Sequence, residues 1–121
     1  MQYVLKTRAF SRLAAKADIT DDALRQAVAE MKAGLFDANL GGGLYKKRVS
    51  VGNRGKRGGS RTIIATNMGD RWFFLYCFLK NDRENISAKE ELAFKFTGKA
   101  LLALTAEQIE QALSAGEMEI L

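Results

Sequence analysis

The most apolar stretch of the chain runs from Arg71 to Lys80, where Trp72, Phe74, Tyr76 and Phe78 alternate with Phe73, Leu75, Cys77 and Leu79. A strand apolar on both sides belongs in the middle of a sheet covered on both faces. Before it, Leu44–Val51 alternates, with Tyr45, Val49 and Val51 on one face and Lys46 and Arg48 on the other. Period-two alternation marks a half-buried strand. Arg61–Asn67 reads as a further strand, and Asn67-Met68-Gly69-Asp70 as the turn between the two. Asn53–Gly59 reads as a hairpin loop, and residues 2–6 as a short opening strand.

Helical spacing brackets these strands. Phe10, Leu13, Ala14 and Ala17 follow a capping Thr7, and Leu24, Ala27, Val28 and Met31 follow Thr20, with Asp21 and Asp22 at the positive end. Gly34 stands where a left-handed cap closes the second helix. Ser87 with Glu90, and Thr105 with Gln108, have the spacing of capping boxes. The helix after Ser87 is expected to turn Leu92, Phe96, Leu101 and Leu102 inward, with Gly98 weakening its middle. The helix after Thr105 carries Ile109, Ala112 and Leu113 and ends near Gly116. The order predicts an α+β fold: a small antiparallel sheet with an N-terminal helical hairpin and C-terminal helices packed on it. A length of 121 residues fits a single domain, 1–121, with 105–121 as a C-terminal helical extension.

Composition removes several kinds of chemistry. The chain has no His, no Pro and one Cys. An internal disulfide, a conventional zinc site and any mechanism that turns on imidazole are therefore excluded. Cys77 lies inside the apolar strand and reads as a small core residue. No apolar run approaches the ~20 residues of a membrane span, and no signal peptide is visible, so a soluble cytoplasmic protein is expected. No metal and no cofactor are expected.

The charge is uneven. Residues 1–83 hold 16 Lys and Arg against 7 Asp and Glu, a balance of +9, whereas residues 84–121 hold 3 against 7, a balance of −4. Seven cations, Lys46, Lys47, Arg48, Arg54, Lys56, Arg57 and Arg61, crowd between Leu44 and Arg61 with no acid among them. Glycines surround them, which lets a ligand approach the backbone. Such a block attracts phosphate backbones, although a charge run is also what an ordinary solvated surface looks like. Arginine grips phosphate at two points, and a lysine crowded by other cations loses some of its affinity for a proton. These groups suit cleavage of RNA, which carries its own nucleophile in the 2′-hydroxyl. The bland reading of Arg61 is an ion pair with a carboxylate such as Asp82.

The stretch from Leu35 to Ile86 resembles the RelE/ParE superfamily of toxins from type II toxin–antitoxin systems, in particular its RelE/HigB-like branch. The residues that carry the resemblance are GLYKKRV, RGKRGGSRTIIAT and RWFFLYCFLKNDRENIS. The preceding helical hairpin fits as well, so the resemblance covers most of residues 1–104. It implies a metal-independent endoribonuclease that cuts mRNA on the ribosome, leaving a 2′,3′-cyclic phosphate and a free 5′-hydroxyl. It also implies a cognate antitoxin protein as partner, expected on the basic groove or on the helical hairpin. Carried over onto this chain, Arg61 matches the arginine that clamps the scissile phosphate. Lys56 matches a loop lysine serving as base or phosphate ligand, and Lys80 a candidate acid for the leaving oxygen. Lys46, Lys47, Arg48, Arg54, Arg57 and Arg83 would contact the RNA. Two rivals remain: a ParE-like poison of DNA gyrase, and an RNA-binding module without catalysis.

Overall fold

The computed structural model describes residues 2–51 and 59–121. In chain order the elements are β1 (Tyr3–Thr7), α1 (Arg8–Lys16), α2 (Asp21–Lys32), β2 (Ala38–Gly41), β3 (Leu44–Val49), β4 (Ser60–Thr66), β5 (Arg71–Leu79), α3 (Ala88–Leu102), α4 (Ala106–Ser114) and β6 (Met118–Ile120). The strands form one sheet in the order β2-β3-β4-β5-β1-β6. The pairing of β1 with β5 is parallel and the other four are antiparallel. The arrangement is the expected mixture of helices on a sheet. β2 and β6 were not visible in the sequence pattern, because edge strands of four and three residues are too short to show a period.

Helix boundaries follow the local chemistry. Thr7, Thr20, Ser87 and Thr105 each accept a hydrogen bond from the backbone N–H three residues on, and the last two complete capping boxes with Glu90 and Gln108. At the end of α2, Gly34 takes φ +89°, its N–H donating to Met31 O and that of Leu35 to Glu30 O. That pair of bonds satisfies carbonyls the helix would otherwise leave open, and it needs the left-handed residue.

The sheet is covered on both faces. α1 and α2 both pack on one, where Phe10, Leu24, Val28 and Met31 meet Val49, Ile64, Trp72 and Phe74. α3 and α4 cover the other, where Leu44, Ile63, Ala65, Phe73 and Leu75 meet Leu101, Leu102 and Ile109. Central β5 is buried on both sides, as its composition requires.

Its two faces are not sorted by simple alternation. Ile63 stands opposite Tyr76 and Ile64 opposite Phe74, which leaves Leu75 as an extra residue in a β-bulge. Trp72, Phe74, Cys77 and Leu79 therefore face α1 and α2, while Phe73, Leu75, Tyr76 and Phe78 face α3 and α4.

α3 also corrects an expectation. Its inward residues are Phe94, Gly98, Leu101 and Leu102, whereas Leu92 and Phe96 point to solvent, Phe96 at 80% exposure. Gly98 sets this orientation. A Cβ at Gly98 would stand 3.0 Å from the Cβ of Ala65, so the helix rests on β4 through its glycine.

Candidate functional site

β3 and β4 pair so that Arg48 lies directly opposite Arg61. Both point to the face covered by α3, and so does Lys46, two residues from Arg48. Like charges opposite one another on a sheet repel, so a counter-charge is needed. Asp37 supplies it. Its Oδ2 lies 3.2 Å from Arg48 Nε and 3.4 Å from Arg61 Nε. The glycine turn after β2 folds Asp37 back beside β3, where its N–H donates to Lys46 O at 2.9 Å.

Asp37, Lys46, Arg48, Arg61, Lys80 and Glu84 line one cavity of about 470 Å³. It opens at the end of the sheet where β4 begins and β5 ends. Lys80 reaches it because the bulge in β5 puts Tyr76 and Phe78, and with them Lys80, on this face. Arg61 is the most enclosed of these groups, 8% exposed. Its Nη1 is buried and has no hydrogen-bond partner among the described residues. Leaving a buried donor of this kind unmet costs about 1–3 kcal/mol. With Lys46, Arg48, Arg61 and Lys80 in its lining, the cavity suits an anion with several oxygens, such as a phosphodiester.

The other residues singled out in the sequence fall elsewhere. Lys47 is on the opposite face, 4% exposed, its Nζ 2.8 Å from Glu30 of α2. Alternation along β3 turns it away from Lys46 and Arg48, so it is no part of this surface. Arg83 is held by a carboxylate: both terminal nitrogens donate to Glu90, and Nε donates to Asn85 O at 3.0 Å. That clamp ties the segment after β5 to the start of α3 and leaves Arg83 out of the cavity. Arg61 pairs with Asp37 and not with Asp82. Arg54, Lys56 and Arg57, in the expected loop, lie outside the described residues. The tyrosines pack: Tyr76 stacks on Phe94 with ring centres 5.2 Å apart, and Tyr45 meets Phe36 edge-on at 5.0 Å.

Asp37 and Glu84 were missed in the sequence. The signal for Asp37 was the Gly41-Gly42-Gly43 turn, whose three residues all have positive φ and so fold β2 back on β3. Cys77 is 4% exposed, and burial pushes its thiol up to about 11, as suits an inert core residue. Among the described residues no three His, Cys, Asp or Glu side chains group where they could hold a metal ion, and no helix is long and apolar enough to cross a membrane.

A protein-family model described as RelE toxin of the RelE/RelB toxin–antitoxin system matches residues 2–120. No curated protein matches the chain.

Proposed function

The chain belongs to the RelE toxin family of toxin–antitoxin systems, and we propose that it is a metal-independent endoribonuclease that cleaves mRNA, acting with the ribosome. The observation that carries this reading is Arg61, buried in the cavity wall with a guanidinium nitrogen that has no hydrogen-bond partner among the described residues, and with three further cations lining the same cavity. A clamp of that kind stabilises the extra charge that a phosphodiester gains as the 2′-oxygen attacks it. In this reading Arg61 grips the scissile phosphate. Lys46 and Arg48 hold the flanking strand, and Lys80 protonates the leaving 5′-oxygen. Lys56, Arg54 and Arg57 remain candidates for the same work from the loop. A cognate antitoxin is the expected partner, and the cytoplasm is where such a toxin meets its message.

The test is induction in a bacterial host with mapping of mRNA 5′ ends, alongside Arg61→Ala. Growth arrest with new 5′-hydroxyl ends inside reading frames, lost in the variant, is the expected result. Arrest with intact mRNA and damaged DNA would point to a gyrase poison. Soluble protein without arrest would leave a module that binds RNA and does not cut it.

A further inference from the structure

Removing the proton of a 2′-hydroxyl needs an acceptor that is unprotonated at neutral pH. Four of the groups lining the cavity, Lys46, Arg48, Arg61 and Lys80, are cations, which leaves the carboxylates of Asp37 and Glu84. The two are held differently. Asp37 is fixed twice, by its backbone bond to Lys46 O and by Oδ2 between Arg48 and Arg61. Its Oδ1 makes no hydrogen bond among the described residues, and the side chain, 22% exposed, lines the cavity. Glu84 is exposed, follows the end of β5, and has no described partner to orient it. A carboxylate with one oxygen anchored on the phosphate clamp and the other open is oriented for proton transfer beside that phosphate.

We infer that Asp37 is the proton acceptor of the cleavage, receiving the 2′-hydroxyl proton on Oδ1 while Oδ2 stays on the two arginines. The inference rests on the ribonuclease reading above. The freed 2′-oxygen forms its bond to phosphorus. The bond from phosphorus to the 5′-oxygen breaks, and that oxygen keeps the electron pair and takes a proton from Lys80. Asp37 ends protonated and Lys80 neutral, and exchange with water restores both. The rival role is a plain counter-ion that separates Arg48 from Arg61. In that role its loss would disorder the clamp and weaken binding as much as cleavage.

The two roles separate when rate and binding are measured together. Single-turnover cleavage would be followed on a single-stranded RNA and on the same message carried by ribosomes. Binding would be measured with a 2′-deoxy oligonucleotide of the same sequence, which fills the site but lacks the nucleophile. Asp37→Asn is expected to slow cleavage about 100-fold, the lower end of what a positioned base contributes. It should bind the deoxy oligonucleotide as tightly or more tightly, because a negative charge has left the phosphate site. Asp37→Glu should retain more activity than Asp37→Asn. Cleavage by Asp37→Asn within a few-fold of wild type would overturn the inference alone. So would a loss of deoxy-oligonucleotide binding in step with the rate. A wild type that cuts neither substrate would overturn the ribonuclease reading and this inference with it.

Discussion

Arg61 is the residue at which folding and chemistry pull apart. A guanidinium that is 8% exposed, opposite another arginine and short of one partner, does not favour the fold. Arg61→Met, which keeps most of the volume and removes the charge, is therefore expected to melt at or above the wild-type temperature while losing cleavage. A fall of more than ~5 °C, roughly what 1 kcal/mol produces in a domain of this size, would instead make Arg61 part of the scaffold. Arg83 is the opposite case. Its hydrogen bonds to Glu90, together with the backbone bond at Ser87, hold the Glu90 carboxyl down at about 2 against an ordinary 4.5. A carboxyl depressed on folding contributes stability that is present above its unfolded value and is lost as pH falls toward its folded one. Between pH ~4.5 and ~2 the wild type should shed this contribution, and Glu90→Gln should lack that limb of the curve in thermal melts. Equal acid limbs in the two proteins would remove the clamp from the list of stabilising contacts.

Elements were legible in proportion to how strongly one face differs from the other. The four helices start at the threonines and serine that the capping spacing singled out. The phase of α3 was hidden because apolar residues lie all round it, so periodicity could not choose between Leu92 with Phe96 and Phe94 with Leu101. Contact decided it: the helix descends where it has no side chain, at Gly98 over Ala65. Gly98→Ala should therefore destabilise the protein, although alanine favours helix by about 1 kcal/mol over glycine, because a buried strand residue at 3.0 Å cannot give way. Adding Ala65→Gly should recover much of the loss in denaturant melts. Additive losses would mean that the two positions do not meet. Phe96→Ser, out in solvent, should change stability by no more than about 0.5 kcal/mol. The candidate site was half legible. Its cations stood out as a run, but Asp37 was not, because it joins them only through the β2–β3 turn, eleven positions from Arg48 in the chain.

For the whole molecule, four cations from residues 1–83, Lys46, Arg48, Arg61 and Lys80, line the cavity, while four of the acids of residues 84–121, Glu90, Glu91, Glu107 and Glu110, sit on α3 and α4. Attraction of this kind is screened by salt. If Lys46, Arg48, Arg61 and Lys80 each meet a phosphate, the logarithm of affinity for single-stranded RNA should fall with the logarithm of salt at a slope of about −3. A slope near zero would mean that the surface does not bind through phosphates. The bulge in β5 bears on how this protein can change over time. Lys80 shares a face with Arg61 because Phe78 stands opposite Arg61, and Leu75 is one residue more than that ladder requires. Loss of the Leu75 codon would straighten the strand and leave Tyr76, Cys77 and Phe78 on their present β4 partners and Lys80 on its present face, whereas a residue inserted between Tyr76 and Lys80 would carry Lys80 through to the side of α1 and α2. Lineages of this chain should thus tolerate loss of one residue at the bulge far better than gain of one between Tyr76 and Lys80.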